Sequence, residues 1–290
     1  MNRDRILVVA IVALSLVAIA AHFSSSADEY GRDNPRWNGT SQFSAAAERH
    51  GAIALYEYGS LPGRSDSMLL IIAPARGFAE AEIGACSEFL TRGNTIFIAD
   101  DGRGSNILLE KLGSSVRIVP SRLRSIDRAF SHPDSILGYT ERPDDLVQGV
   151  NAVVLNRPSY VTGGEALINT SVLTWEEKSG NYEVDAGETL TNYAIFTRET
   201  VNGGTVYVLA DPSIFINGMQ ALDVQDNRQF IQNILATPHQ VILDQVHCGG
   251  AAPIGSDLSG YLPGAGMAIK IIATVCSLAA IIYLFYSKIF

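Results

Sequence analysis

The chain has 290 residues, 47% of them apolar and only 18% charged, with a net charge of −9 and three cysteines. That apolar content excludes a disordered chain, and the acidic balance argues against nucleic acid as a partner, because phosphate binding needs clustered Lys and Arg. Three cysteines are too few for a disulfide scaffold or a four-cysteine zinc site.

After a tip of residues 1–5 that carries Arg3 and Arg5, residues 6–23 contain no charge. As a helix they rise roughly 27 Å, close to a hydrocarbon core of about 30 Å, and they read as a transmembrane segment. A cleavable signal peptide is the alternative, since Ala18-Ile-Ala20 has the small-x-small form. Residues 24–248 form the main α/β domain. Its polar lead gives way to a short helix over Gln42 to His50, capped by Ser41 and ended by Gly51, and then to a strand over Ile53 to Tyr58.

Met68 to Ala73 is a continuous apolar run, the pattern of a strand buried on both faces. Phe78 to Arg92 has Ile83, Cys86, Phe89 and Leu90 at helical spacing, with Glu80 and Glu82 in the first turn. Thr95 to Ala99 is a second buried strand, Asn106 to Leu112 a short helix, and Val116 to Val119 a further strand. This alternation predicts a mostly parallel sheet with right-handed crossovers, flanked by helices. Residues 120–150, with Pro120, Pro133 and Pro143, read as an irregular excursion. Asn151 to Leu155 resumes the sheet. Ser171 to Trp175 and Asn192 to Glu199 read as strands, the latter antiparallel to Gly204 to Ala210 across an Asn-Gly-Gly turn. A helix over Val224 to Leu235 and a strand over Gln240 to Leu243 close the domain.

Residues 249–264 are a Gly/Pro/Ser linker. Residues 265–286 are a second apolar run, with Lys270 placed to snorkel at one end and Tyr283, Tyr286 and Phe290 clustered at the other. A tip of residues 287–290 carries Lys288. With Arg3, Arg5 and Lys288 inside, the expectation is a two-pass cell-membrane protein whose main domain is extracytoplasmic. The sequons at Asn38 and Asn169 are compatible with that placement and are candidate glycosylation sites.

These blocks resemble a known family. The run RGNTIFIADDGRGSNILLEKLG, followed by LADPSIFINGMQALDVQDNRQFIQNIL and VILDQVHCGG, is similar to the domain of unknown function 4350 family of archaeal and bacterial membrane proteins. The second block, with Asp211, Ser213, Asn217, Asp226, Asn227 and Asn233 in register, also resembles the extracytoplasmic domain of auxiliary subunits of gliding-motility-type ABC transporters. The resemblance implies an amidotransferase-like or flavodoxin-like α/β fold. It implies partners such as MoxR-type ATPases, von Willebrand-factor-A-type proteins or ABC transporter components, beside the membrane itself. It brings no reaction and no cofactor.

The residues that carry chemistry follow strands. Asp100 and Asp101 end one strand, Asp211 and Ser213 another, with Asn217 further along, and Asp244 and His247 a third. In an open α/β sheet the carboxyl ends of the strands are where ligands bind, so these seven are the candidate ligand-binding residues. Each has a structural alternative: an Asx turn in which Asp101 caps the helix near Ser105, loop ties around Asp211, and a hydrogen-bonded Asp244–His247 pair. Cys86 falls inside a predicted helix and lacks the Gly-x-Cys-x-Gly elbow of an amidotransferase nucleophile. The expected function is a membrane-anchored, non-catalytic module that binds a partner protein or ligand. The alternatives are a metal-assisted hydrolase using Asp100, Asp101, Asp211 and His247, and a carbohydrate or peptide receptor.

Overall fold

A computed structural model describes residues 28–248 of the chain. Its helices are α1 (Ser41–Arg49), α2 (Glu80–Thr91), α3 (Asn106–Lys111), α4 (Asn217–Ala221) and α5 (Asn227–Leu235). Its strands are β1 (Ile53–Leu55), β2 (Ser67–Ile72), β3 (Thr95–Ala99), β4 (Arg117–Val119), β5 (Leu123–Ser125), β6 (Ser135–Thr140), β7 (Ala152–Asn156), β8 (Tyr160–Thr162), β9 (Glu165–Thr170), β10 (Thr174–Glu176), β11 (Ala194–Val201), β12 (Gly204–Leu209) and β13 (Gln240–Asp244).

The main sheet runs β1-β13-β2-β3-β12-β11-β9-β6-β7, with β8 beside β11 and β4 beside β8. The first five strands are parallel. From β12 onward every pairing is antiparallel. The sheet is therefore mixed, which corrects the expectation of a mostly parallel one. The physical reason lies in the connections. Antiparallel neighbours need only a short link, whereas a parallel crossover needs a dozen or more residues. The tight turn at Asn202 and Gly203 reverses β11 into β12 as the turn signal predicts. The 120–150 excursion is not irregular: it supplies β5 and β6, with β5 pairing β10 in a separate two-stranded sheet. The strand predicted at Val116 to Val119 joins β8 in antiparallel fashion and pairs with none of the parallel strands.

Period-two alternation divides the core between the two faces of the sheet. Met68, Leu70 and Ile72 of β2 and Phe97 of β3 pack with Phe43 of α1 and Phe230 and Ile234 of α5. Leu69, Ile71, Ile96 and Ile98 pack on the other face with Ile83, Cys86 and Phe89 of α2 and Leu108 and Leu109 of α3. The layers are thus helices, sheet, helices.

The expected membrane segments, 6–23 and 265–286, lie outside the described residues, as do the 249–264 linker and both tips. Among the described residues no helix is long and apolar enough to cross a membrane. Within the described residues nothing supports a two-pass topology or an extracytoplasmic placement, and the expectation is corrected to an α/β domain in which no described helix spans a membrane.

Candidate functional site

Because β13, β2, β3 and β12 are parallel and adjacent, their carboxyl ends share one edge of the sheet. Asp244, Asp100 and Asp211 stand there, as the strand pattern predicts. They do not form one cluster. Asp244 and Asp100 belong to strands separated by β2, two strand spacings or roughly 10 Å, and each carboxylate is occupied by backbone N–H groups.

Asp100 Oδ1 accepts from Gly102 N (2.9 Å) and Oδ2 from Ser105 N (2.9 Å), so Asp100, not Asp101, holds the turn into α3. Asp211 is fully buried. Its Oδ1 accepts from Ser213 N (2.9 Å) and its Oδ2 from Asn156 N (2.7 Å) at the end of β7. Burial raises its carboxyl to about 7; the N–H bonds oppose that rise, and the charge of Asp101 adds to it. Ser213 is itself buried within the turn after β12.

The other polar residues of this block are loop ties. Asn217 Oδ1 accepts from Gln42 N (2.9 Å), and its Nδ2 donates to Asn34 O (2.9 Å) and Arg36 O (2.7 Å), so it fastens the polar lead to α4 and does not close its own turn. Asp226 Oδ2 accepts from Asn151 N (2.7 Å) and Ala152 N (3.1 Å). Asn227 pairs with both backbone groups of Val154. Asn233 Nδ2 donates to Leu146 O (3.1 Å) and Gln148 O (2.8 Å).

The third carboxylate is part of a relay. Asp244 Oδ1 accepts from Val246 N (2.9 Å) and His247 N (3.3 Å), and Oδ2 pairs with His247 Nδ1 at 2.8 Å. The opposite ring nitrogen, Nε2, lies 3.2 Å from Glu82 Oε2. Glu82 also pairs with Arg76 (2.6 Å) and accepts from Ala79 N (2.7 Å) at the start of α2. Burial opposes ionisation of Glu82, but the bonds from Arg76 and Ala79 and the His247 charge outweigh it and hold the carboxyl down to about 2. Phe78 stacks on the imidazole at 3.9 Å between ring centroids, and Tyr58 meets it edge-on at 5.0 Å. Sequence pattern marks Asp244 and His247 but not Arg76, and it gives Glu82 only a helix-dipole role. The acidic first turn of α2 was the one available signal.

Among the described residues no group of three or more His, Cys, Asp and Glu side chains is placed to hold a metal ion. This corrects the metal-assisted hydrolase alternative. The lone pairs of Asp100, Asp211 and Asp244 are occupied by N–H donors, and β2 separates Asp244 from the other two. Cys86 is buried on α2 with its thiol pushed up by burial, and Cys86 and Cys248 are both free. Asn38 sits in the turn before α1, accepting from Asn34 Nδ2 (3.2 Å), with Thr40 buried. Asn169 lies within β9, between β11 and β6.

A second feature had no sequence signal, because its residues are spread over more than sixty positions. A cleft of about 590 Å³ is lined by Asp144, Gln148, Arg198 and Tyr207, and a neighbouring one of about 520 Å³ by Arg142, Glu165 and Asn169. Arg198 bridges Asp144 (2.6 Å) and Glu165 (2.6 Å), and the Tyr207 hydroxyl donates to Asp144 (3.1 Å). Acidic groups outnumber basic ones across the two clefts, with Glu141, Asp144, Asp145 and Glu165 against Arg142 and Arg198.

A family model described as a domain of unknown function (DUF4350) matches residues 32–235. No curated protein matches the chain. Among solved structures, the chain is similar to an "mmIFT52 N-terminal domain" at 17% identity, covering 61% of this chain and 78% of that one, with a TM-score of 0.45. A cytoplasmic protein from Salmonella typhimurium LT2 is similar at 10% identity, with 70% and 89% covered and a TM-score of 0.40. A beta-galactosidase from Bacillus circulans sp. alkalophilus is similar at 10% identity, with 59% of this chain and 22% of the enzyme covered and a TM-score of 0.37.

Proposed function

The chain belongs to the domain of unknown function 4350 family, and from that premise we propose that it is a non-catalytic α/β binding module that engages a protein partner. The observation that supports this reading is the state of the sheet-edge carboxylates. Asp100, Asp211 and Asp244 are 5%, 0% and 1% exposed and are committed to N–H groups of their own loops. A general acid or base must reach a substrate proton, and these groups are turned inward.

Apolar side chains are arranged in the opposite way. Of eleven large ones exposed among the described residues, seven fall between Ile126 and Leu190. Five of these, Ile126, Val172, Leu173, Tyr182 and Leu190, sit around the β5–β10 sheet. Ile126 N bonds Leu173 O beside Val172, Thr191 next to Leu190 bonds Thr174 of β10, and Tyr182 covers Arg124 of β5. Exposed apolar groups gathered on one small sheet are the kind of surface that interaction sites use. The family resemblance makes MoxR-type ATPases, von Willebrand-factor-A-type proteins and ABC transporter components the first partner classes to test. An amidotransferase-like ancestry fits the same reading, since Cys86 lies within α2 and not at a nucleophile elbow.

The test is site-specific photo-crosslinking of the full chain in its own cells, with the probe at Ile126 or Val172 and a control at exposed Ile107 on α3. The expected result is a discrete protein adduct from the first two positions only. Adducts at Ile126 and Val172 no stronger than at Ile107 would overturn the assignment.

A further inference from the structure

Asp134 is a buried carboxylate with two guanidinium partners. Arg124 Nη1 lies 2.5 Å from its Oδ1 and Arg157 Nε 2.6 Å from its Oδ2, so one positive charge is left over. The excess stands against the balance of the chain, which has 30 acidic and 21 basic residues. The two arginines are placed differently. Arg124 is buried on β5, and the Tyr182 ring lies 4.9 Å from its guanidinium. The Arg157 side chain is 71% exposed and gives only Nε to Asp134; its two terminal nitrogens bond no described group. Such a fork takes a carboxylate through two parallel hydrogen bonds. His132, 57% exposed, has Nδ1 at 3.6 Å from the same Asp134 oxygen, and its ring lies 5.9 Å from that of Tyr182. Nδ1 accepts from Asp134 N (3.3 Å), which leaves Nε2 as a donor.

Donors are also in excess on the sheet itself. Trp175 stands opposite Arg124 in the β5–β10 register, so their side chains share a face. Trp175 Nε1 and Arg124 Nε are buried N–H groups with no hydrogen-bond partner among the described residues, and a buried donor without an acceptor is costly. The loop that carries Tyr182 spends its buried and half-buried carboxylates on itself. Glu177 accepts from Ser179, Gly180 and Tyr182 N–H, and Glu188 from Lys178 and Asp185 N–H. Glu183 is exposed next to Tyr182.

We propose that the β5–β10 surface recognises an acidic segment of its protein partner: an Asp or Glu side chain binds the Arg157 fork and the His132 ring, while its apolar neighbours cover Ile126, Val172 and Tyr182. The proposal rests on the reading of this surface as an interaction site and adds the chemistry of what it takes. A carboxylate answers the left-over charge and the surplus of N–H groups together, whereas a basic segment would meet Arg157 with like charge.

The test is photo-crosslinking from Val172 in the full chain, combined with Arg157→Gln, His132→Ala or, as a charge control, Glu183→Gln, and with mass-spectrometric sequencing of the crosslinked partner peptide. Arg157→Gln should lower the adduct yield about tenfold, the scale of one charge-assisted hydrogen bond. His132→Ala should lower it less, and Glu183→Gln should not lower it. The peptide should carry Asp or Glu beside apolar residues. A yield undiminished in both Arg157→Gln and His132→Ala would overturn acid recognition and leave the interaction surface standing. So would an equal fall in Glu183→Gln, or a peptide whose only anion is a phosphate or that has none. Absence of any adduct in the wild type would overturn the surface itself, and the acidic segment with it. Should Arg157→Gln fail to fold, His132→Ala and the peptide sequence decide the matter.

Discussion

The side-chain amide of Asn227 stands where the peptide of a neighbouring strand would stand beside Val154. Its Oδ1 accepts from Val154 N at 2.7 Å, and its Nδ2 donates to Val154 O at 2.9 Å. β7 is the last strand of the sheet, and its outward groups at 152, 154 and 156 are met in turn by Asp226, Asn227 and Asp211. Asn106 does the same for Ile118 on β4, with bonds of 2.9 and 2.8 Å. Unpaired strand edges invite pairing with other chains, and side-chain amides close them here.

Asn227→Ala is therefore expected to lower stability by about 2–3 kcal/mol, since it leaves a buried donor and acceptor without partners. Urea denaturation measures the loss. Sizing columns should also detect new self-association through the opened β7 edge. Asn106→Ala should have a smaller effect, because one residue pair on a three-residue strand is uncovered.

Gly204 begins β12 against the end of α2. A Cβ there would lie 2.5 Å from Asn94 O and 2.7 Å from Leu90 O, both backbone atoms. Gly204→Ala is expected to cost about 2–3 kcal/mol through forced backbone shifts. A thermal melt of the variant that matched the wild type would contradict this contact.

Acid should weaken the fold through Glu82. Its folded-state value, about 2, lies below that of an unfolded glutamate, about 4.3. Its contribution is present above the unfolded value and is lost as pH falls toward 2. Asp211 has the opposite sign. Its raised value means that its contribution is full below about 4 and lost as pH rises through about 7. Urea midpoints between pH 2 and 8 should fall at the acid end in the wild type, and less steeply in Glu82→Gln.

Cys86 should resist alkylation in the native state, being fully buried with its thiol pushed up by burial. Peptide mapping after iodoacetamide at pH 8 should find it unmodified until denaturant is added.

The parallel half of the sheet was legible because β2 and β3 are buried on both faces and read as unbroken apolar runs. Strands such as β6, with Ser135, Gly138 and Thr140 among its residues, and β9, with Glu165, Asn169 and Thr170, are only partly buried. Their polar positions hid them in what reads as loop. Cross-strand neighbours complete these strands, and a single sequence does not reveal which neighbours they have. The carboxylates at the strand ends were legible for the same reason as the strands. Their partners were not: Asn156 lies 55 positions from Asp211, and Glu82 lies 165 from His247.

Local pattern alone determined where the buried strands and helices lie and that Asp100, Asp211 and Asp244 end three of those strands, because burial periodicity and chain punctuation act over a few residues. Only the tertiary structure decided that the sheet is mixed and that those carboxylates are bound to separate loops. It also placed asparagine amides along the open strand edges. Each of these depends on hydrogen bonds between residues far apart in the chain, and their geometry exists only once the strands are ordered beside one another.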